Sequence, residues 1–531
     1  MKRLILFILV LLAFGHARGR EYLVRLDARS SDGLSVIELI DDQALVIADD
    51  NELKHLAFNR IPHAILDPDP RGKLYLLVFP IDGSVLDLGP YGARLDAFEE
   101  CVLLRTTEQQ VSRLNELPVE LARLNIRPLG KSDGTVPVYD YAPLAPDTLI
   151  QKMLNAVNPD SILNSVLRLQ RFYTRYATSD SNRIACANWI RDRLIAYGCD
   201  SVYASTFYAG YGPNVVGIEK GKLYPNPKRY CLIGGHFDDV PSSGAAPGAD
   251  DNGSGTTAML EAARVMKNFN FENTIRFCGF NAEEQGLIGS DSLAAWARSQ
   301  GDTIFGALCY DMIGYVTAPD SDIMRLRYTT AVPGCSLFSC VFYPAIADTY
   351  TQLKIRQVRY TGTSGSSDHA SFWRQGYVST GGIERVLCPG YHTVGDSIGN
   401  EGFNNLTFAV QVIRTAVAVL AKLAVPIHSG SIVGDAAGTT IGPLFCARPD
   451  PGRRFHIRFQ VTSDRDDVEL GIYDAAGRMV KKLAHGEYGK GIHSIVWDGY
   501  DVRGIGSPPG VYFVALNCGG RDRFLKIILV R

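Results

Sequence analysis

Three apolar, strand-like runs in the middle of the chain each lead into an acidic or imidazole side chain. "YCLIGGHFDD" ends in His236 and Asp238, "FCGFNAEEQG" in Glu283 and Glu284, and "ALCYDMIG" carries Asp311. The adjacent glutamates are the hardest to accommodate. Like charges a few ångströms apart repel, and leaving a buried charge unpaired costs about 3–5 kcal/mol. A chain that ends a buried strand in this way needs something positive at that edge.

The surrounding pattern says where the edge lies. From about 148 to 425, amphipathic helices ("ILNSVLRLQRFYTRY", "ACANWIRDRLIAYG") alternate with the strands "NVVGIEKG", "YCLIGGH", "TIRFCGF" and "GALCYDMIG". That alternation predicts an α/β sandwich with a mainly parallel sheet. Ligands of such sheets sit beyond the carboxyl ends of the strands. If the strands are parallel, these groups meet there. Other acidic and imidazole groups of the region are Asp250 and Asp251 in "PGADDNGSG", Asp368 and His369 in "GTSGSSDHASFW", and His392 in "PGYHTVGDS".

Each residue alone has an ordinary explanation. A histidine after a strand usually serves structure, and Asp251 could simply cap the helix that follows it. Their conjunction carries the argument. Imidazole with carboxylate suits zinc, manganese or cobalt, whereas calcium and magnesium prefer oxygen alone. If His236, His392, Asp251, Glu284, Asp311 and Glu283 converge, neutral histidines and four carboxylates sum to −4. One zinc leaves −2, and two give neutrality. Two metals about 3.5–4 Å apart can activate one water and clamp the oxyanion that follows. Where the strand ends and the chain turns, Glu284 can bind metal while Glu283 handles the water's proton.

The full chain has 531 residues, too many for one core. With a net charge of −2 and no basic stripe with interleaved aromatics, nothing points to nucleic acid. Residues 1–18 have the charged start (Lys2, Arg3), short apolar run and small residues (Gly15, Ala17) of a signal peptide, which predicts a secreted or cell-surface protein. No transmembrane segment is expected: Gln411, Arg414 and Lys422 interrupt "FAVQVIRTAVAVLAKLAV", which reads as a helix packed on a sheet. The eleven cysteines are scattered without a CxxC. Cys231, Cys278 and Cys309 lie in strands as small buried hydrophobes, and Cys335 and Cys340 are near enough in sequence to pair.

Residues 20–140 form a β-rich α+β region, a propeptide or accessory domain. Its strands include "EYLVRL", "LSVIELI", "ALVIA" and "KLYLLVFP", and "EQQVSRLNELPVELARL" has helical spacing. "PLGKSDGTVPVYDYAPLAPDT" reads as a linker. From 430 to 531 short strands predict a β-sandwich, with Trp497 in its core.

The motifs "GGHFDD", "PGADDNGSG", "NAEEQGLIGS", "YDMIGY", "SDHASFWRQGY" and "YHTVGDS" resemble, in order, the motif series of the M28 family of zinc aminopeptidases, over most of residues 150–425. The resemblance implies a three-layer α/β/α sandwich with a mixed, mostly parallel sheet and two zinc ions. His236 would bind one zinc and Asp251 would bridge both. Glu284, Asp311 and His392 would complete the sites, and Glu283 would be the general base. Asp238 would orient His236 through its other ring nitrogen. The family often has a cis peptide after the bridging aspartate, here Asp251–Asn252. Asp368 and His369 would stand on the substrate side or behind the ligands. Some relatives carry a tyrosine and a disulfide before that motif; "TGTSGSS" has neither, and Tyr360 receives no role. The implied reaction removes N-terminal residues from peptides. A metal-bridging hydroxide attacks the scissile carbonyl, and Glu283 passes the proton to the leaving amine.

"GIYDAAGRMVKKL", "GIHSIVWDGYDVRGIGSPPGVYFVAL" and "RFLKIILVR" resemble the FlgD-like immunoglobulin-type module, which is similar to type IX secretion sorting domains. That implies secretion machinery as a partner, against a plain spacer. Two other readings compete with the aminopeptidase. One is another enzyme on this scaffold: a carboxypeptidase, a dipeptidase or a single-zinc glutaminyl cyclase. The other is a catalytically inactive surface-binding protein, against which the intact ligand set and Glu283 argue.

Overall fold

The computed structural model describes residues 20–529 except 82–85, 131–145, 179–180, 224, 242–243, 319–321, 428–444, 451–453, 475–476 and 520. The expected signal peptide and most of the linker lie outside the described residues.

An eight-stranded mixed sheet fills the middle of the chain. Its order is Lys354–Tyr360, Ile323–Thr329, Ser379–Glu384, Thr303–Tyr310, Arg229–His236, Thr274–Phe280, Asn214–Glu219 and Ser201–Ser205. Arg229–His236 pairs in parallel with Thr274–Phe280 on one side and with Thr303–Tyr310 on the other. Thr303–Tyr310 in turn pairs in parallel with Ser379–Glu384. These central strands therefore end at one edge, as the alternation predicts. Asn214–Glu219 pairs antiparallel with Thr274–Phe280 and with Ser201–Ser205, and Ile323–Thr329 pairs antiparallel with Ser379–Glu384.

Both faces are covered, which explains the nearly unbroken apolar runs. Cys231, Ile233, Ile275, Phe277 and Leu308 pack into one core with helices Gly253–Met266 and Leu406–Ala424. The alternate residues Leu232, Cys278, Ala307 and Cys309 pack on the other side, against Leu293 and Ala294 of Ile288–Ser299 and Phe372 of His369–Arg374. The period of two along a strand sorts the side chains between these layers. Leu406–Ala424 is long and apolar enough to cross a membrane, but it is largely buried in this core.

The N-terminal region forms two four-stranded antiparallel sheets. One correction concerns "EQQVSRLNELPVELARL": only Glu108–Leu114 is helical, and Val119–Arg123 is a strand paired with Leu74–Pro80. Pro118 lies just before that strand, where its missing N–H and fixed φ disfavour a continuing helix. The expectation missed a helix-to-strand switch inside one amphipathic stretch. This region shares its apolar interior with the central sheet: Leu23, Ile37, Tyr75 and Leu77 belong to the same core as Phe277 and Leu308. Glu38 reaches Arg374 at 2.6 Å with both side chains buried, and also accepts a hydrogen bond from Thr363.

In the C-terminal region, Arg454–Asp474 runs through what the sequence suggests are two strands. Its first half pairs with Phe445–Asp450, its second with Gly510–Cys518, and both with Met479–Trp497. Phe455, Ile457, Leu470 and Ile472 from both halves share one core with fully buried Trp497. The ten cysteines of the described side chains are free thiols, Cys335 and Cys340 among them.

Removing one partner of the Glu38–Arg374 pair strands a buried charge. Glu38→Ala is expected to cost about 3–5 kcal/mol. A lower denaturant midpoint and faster proteolysis of the N-terminal region would show it.

Candidate active site

The strand Arg229–His236 places His236 at its last position, and the chain leaves the sheet through Asp238 and Asp239. Arg175 fixes this exit. Its buried guanidinium pairs with Asp239 at 3.1 Å and donates to the carbonyls of Phe237 (2.7 Å), Pro247 (2.8 Å) and Gly248 (2.9 Å). One side chain thereby ties the His236 segment to the loop that carries Asp250 and Asp251. Asp396 holds that loop from the other side, accepting the backbone N–H groups of Asp250 and Asp251 at 2.9 Å each. The cap of the next helix is Asn252, which accepts from Gly255 N–H, so the Asp251 carboxylate is not used for capping. Gly255 lies against the carbonyl of Tyr310, where a Cβ would collide; its absence lets the helix start approach the strand end. The Asp251–Asn252 peptide is cis.

Asp238 does more than the sequence suggests. Its Oδ1 lies 3.7 Å from His236 Nδ1, while its two oxygens accept the backbone N–H groups of Glu283 and Glu284 at 3.2 Å each. One buried carboxylate thus fixes the turn that presents both glutamates. Asp311 directly follows Thr303–Tyr310 and accepts from Ser367 at 2.8 Å.

All six side chains converge. His236 Nε2 lies 3.2 Å from Asp311 Oδ1 and 3.4 Å from Asp251 Oδ1. His392 Nε2 lies 3.0 Å from Glu284 Oε2 and 3.4 Å from Asp251 Oδ2. Asp251 therefore stands between the imidazoles, one oxygen toward each. Among the described residues, the groupings close enough to hold an ion are His236 with Asp251 and Asp311, Asp251 with Glu284 and His392, and His236 with Glu283 and Glu284. Tyr391 stacks on His392 with ring centroids 3.7 Å apart.

Asp368 and His369 do not line the cavity that His236, Glu283 and Asp311 line. Both are buried, and the His369 ring packs edge-on against Trp373 at 4.5 Å. Burial holds His369 well below the usual imidazole range, so it is neutral. It belongs to none of the ion-holding groups among the described residues. Tyr360 also packs on Trp373. Sequence reasoning did not single out Arg175, Asp396, Arg327, Ser367 or Glu120. Asp396 and Ser367 had local signals, as the acidic residue of "YHTVGDS" and the first residue of "SDHASFWRQGY"; the others act through contacts distant in sequence.

The electrostatics are those of a site crowded with acid. Burial, and then the Glu284 charge, push Asp251 up to about 8. Burial likewise drives Glu283 well above the carboxylate range, against the pull of His236. Burial would lower His392, but Glu284 and Asp251 outweigh it and raise it to about 10. His236 also rises well above its ordinary value, because Glu283 and Asp311 overcome its burial. Glu284 Oε1 is buried without a hydrogen bond. This buried nitrogen and oxygen donor set, crowded with acidic groups, fits zinc.

Known proteins resemble this chain in sequence and in fold. Residues 214–417 match the model of peptidase family M28, and residues 448–519 match the FlgD Ig-like domain. Leucine aminopeptidase 1 of Chaetomium globosum is 30% identical over 292 residues, covering 49% of this chain and 68% of that protein. Leucine aminopeptidase 1 of Trichophyton equinum is 28% identical over 294 residues, covering 51% of this chain and 77% of that protein. The structure of the Legionella pneumophila LapA aminopeptidase shares the fold, with a TM-score of 0.53 at 21% identity, covering 67% of this chain and 99% of that one. The chain belongs to peptidase family M28. It is a zinc-dependent exopeptidase of that family, as its motifs predict, and peptides are its substrates.

In chelator-stripped protein these groups hold protons more tightly folded than unfolded. Stability is then lost as pH rises, between 3.8 and about 8 for Asp251 and between 6.5 and about 10 for His392. Zinc replaces those protons, so its binding near pH 7 is expected to release them. Titration calorimetry in buffers of different ionisation enthalpy checks this: a binding heat independent of buffer would contradict it.

Proposed function

We propose that this chain is an exported aminopeptidase that holds two zinc ions per catalytic domain. His236, Asp251 and Asp311 would hold one ion, and Asp251, Glu284 and His392 the other. The position of Asp251 between the two imidazoles carries this reading: the two groupings use each imidazole once and share that one carboxylate. Bound there, the ions would supply Lewis-acid polarisation of the scissile carbonyl and a nucleophilic water at neutral pH.

The chain's own residues do the rest. Glu283 is needed in neither trio, yet it lines the same cleft. Its carboxylate takes the proton of the attacking water and returns it to the leaving amine. Asp238 keeps it in reach by gripping its backbone N–H. Asp396 and Arg175 hold the Asp251 loop in register with His236. The free α-amino group of the substrate would bind beside the second metal. Export rests on the signal-like residues 1–18, and the FlgD-like module is the part suited to engage secretion machinery.

Glu283→Ala is expected to keep both zinc ions by metal analysis while turnover of an aminoacyl reporter falls by about 10²–10⁴. Normal turnover in this variant would remove Glu283 as the base, and one zinc per wild-type chain would end the two-metal reading. Reporters with an acetylated N-terminus should resist the wild-type enzyme. If they are cleaved as fast as the free amines, the chain is not an aminopeptidase.

A further inference from the structure

The N-terminal region reaches into the metal cleft. Val119, Glu120 and Leu121 line the same cavity as His236, Glu283 and Asp311. Their strand is anchored there by Arg123, whose backbone N–H donates to Gly286 O at 3.2 Å and whose Nε donates to Gln285 O at 2.8 Å. Those carbonyls follow Glu284 directly in the chain.

Opposite Glu120 is Arg327, on the strand Ile323–Thr329. Its side chain is 9% exposed and donates to Ser366 Oγ at 3.2 Å. Ser366 itself lines the cavity. Among the described residues the carboxylate ion-pair partner of Arg327 is Glu120, whose Oε1 is 3.8 Å from the guanidinium, close enough to attract but too far for a hydrogen bond. Taking a guanidinium out of water is expensive, and its planar fork of donors matches a carboxylate held at bonding distance. Here that capacity is only partly used, at the edge of a cleft that receives peptides. The nearby charged and phenolic groups are Tyr360, Glu120, Asp311 and Tyr391.

We propose that Arg327 forms a subsite for a substrate carboxylate beside the metal centre, with Glu120 of the N-terminal region as the counter-charge that a substrate displaces. This rests on the aminopeptidase reading. The carboxylate can come from the C-terminus of a dipeptide or from an acidic side chain. In either case the N-terminal region is a working wall of the cleft.

The test compares matched substrates on the zinc-loaded full chain: Leu-Leu against Leu-Leu-amide, and a Glu against a Gln aminoacyl reporter. The carboxylate member of at least one pair should show a kcat/KM about 10-fold higher, chiefly through KM. The pair that shows it identifies the source of the carboxylate. Arg327→Gln should level that ratio, and Glu120→Gln should widen it by about 3-fold, since it weakens a competitor. Equal kcat/KM within both pairs overturns the proposal, as does a ratio unchanged in Arg327→Gln. If Arg327→Gln does not fold, Glu120→Gln decides, and an unaltered ratio there overturns it. Calorimetry on zinc-loaded Glu283→Ala supplies a readout without turnover: Leu-Leu should bind more tightly than Leu-Leu-amide, and equal affinities together with no preference between the Glu and Gln reporters count against the subsite. Should the wild type hydrolyse none of the four, the aminopeptidase reading falls, and affinities of all four for the zinc-loaded protein, equal within both pairs or not, decide the subsite alone.

Discussion

Four carboxylates and two imidazoles are folded into one place with little access to water, and the catalytic domain is organised around the repulsion this creates. Two ionised neighbours about 4 Å apart cost about 4 kcal/mol even at an effective dielectric constant of about 20. Burial first, and that repulsion with it, push Asp251 and Glu283 upward, and the surrounding acids keep both imidazoles charged. Divalent ions answer that repulsion. The site is thus unfavourable by itself and favourable with its metal, and the fold has to keep the acids together until the metal arrives.

That restraint falls to charged groups one step back from the centre. Asp238 grips the turn of Glu283 and Glu284, Asp396 grips the loop of Asp250 and Asp251, and Arg175 joins that loop to the His236 strand. Each uses its charge to satisfy backbone groups that a buried loop would otherwise leave unpaired. The candidate ligands can then be single side chains from separate strand ends and loops and still meet within hydrogen-bond distances.

Much of this was legible in the sequence for one reason: strand ends are local features. The apolar runs before His236, Glu283 and Asp311 mark strands, and a parallel sheet brings such ends to one edge. The residues that hold the ligands were not legible, because nothing near them in the chain shows the contact. Arg175 meets Asp239 across 64 residues, and Glu120 faces Arg327 from a different sheet. Glu120 was also hidden by a local error. "ELPVELARL" has helical spacing, whereas Pro118 precedes the strand that lines the cleft. Periodicity in a short amphipathic stretch cannot separate the two when tertiary pairing decides.

The apolar interior runs without a break from Leu23 and Tyr75 into Phe277 and Leu308. A gene trimmed to start near residue 148 would therefore encode a catalytic half with a bared greasy flank and Arg374 left without Glu38. Such a fragment is a poor reagent for crystallography or enzymology, and a protease that nicks the segment between the halves would leave them clasped together.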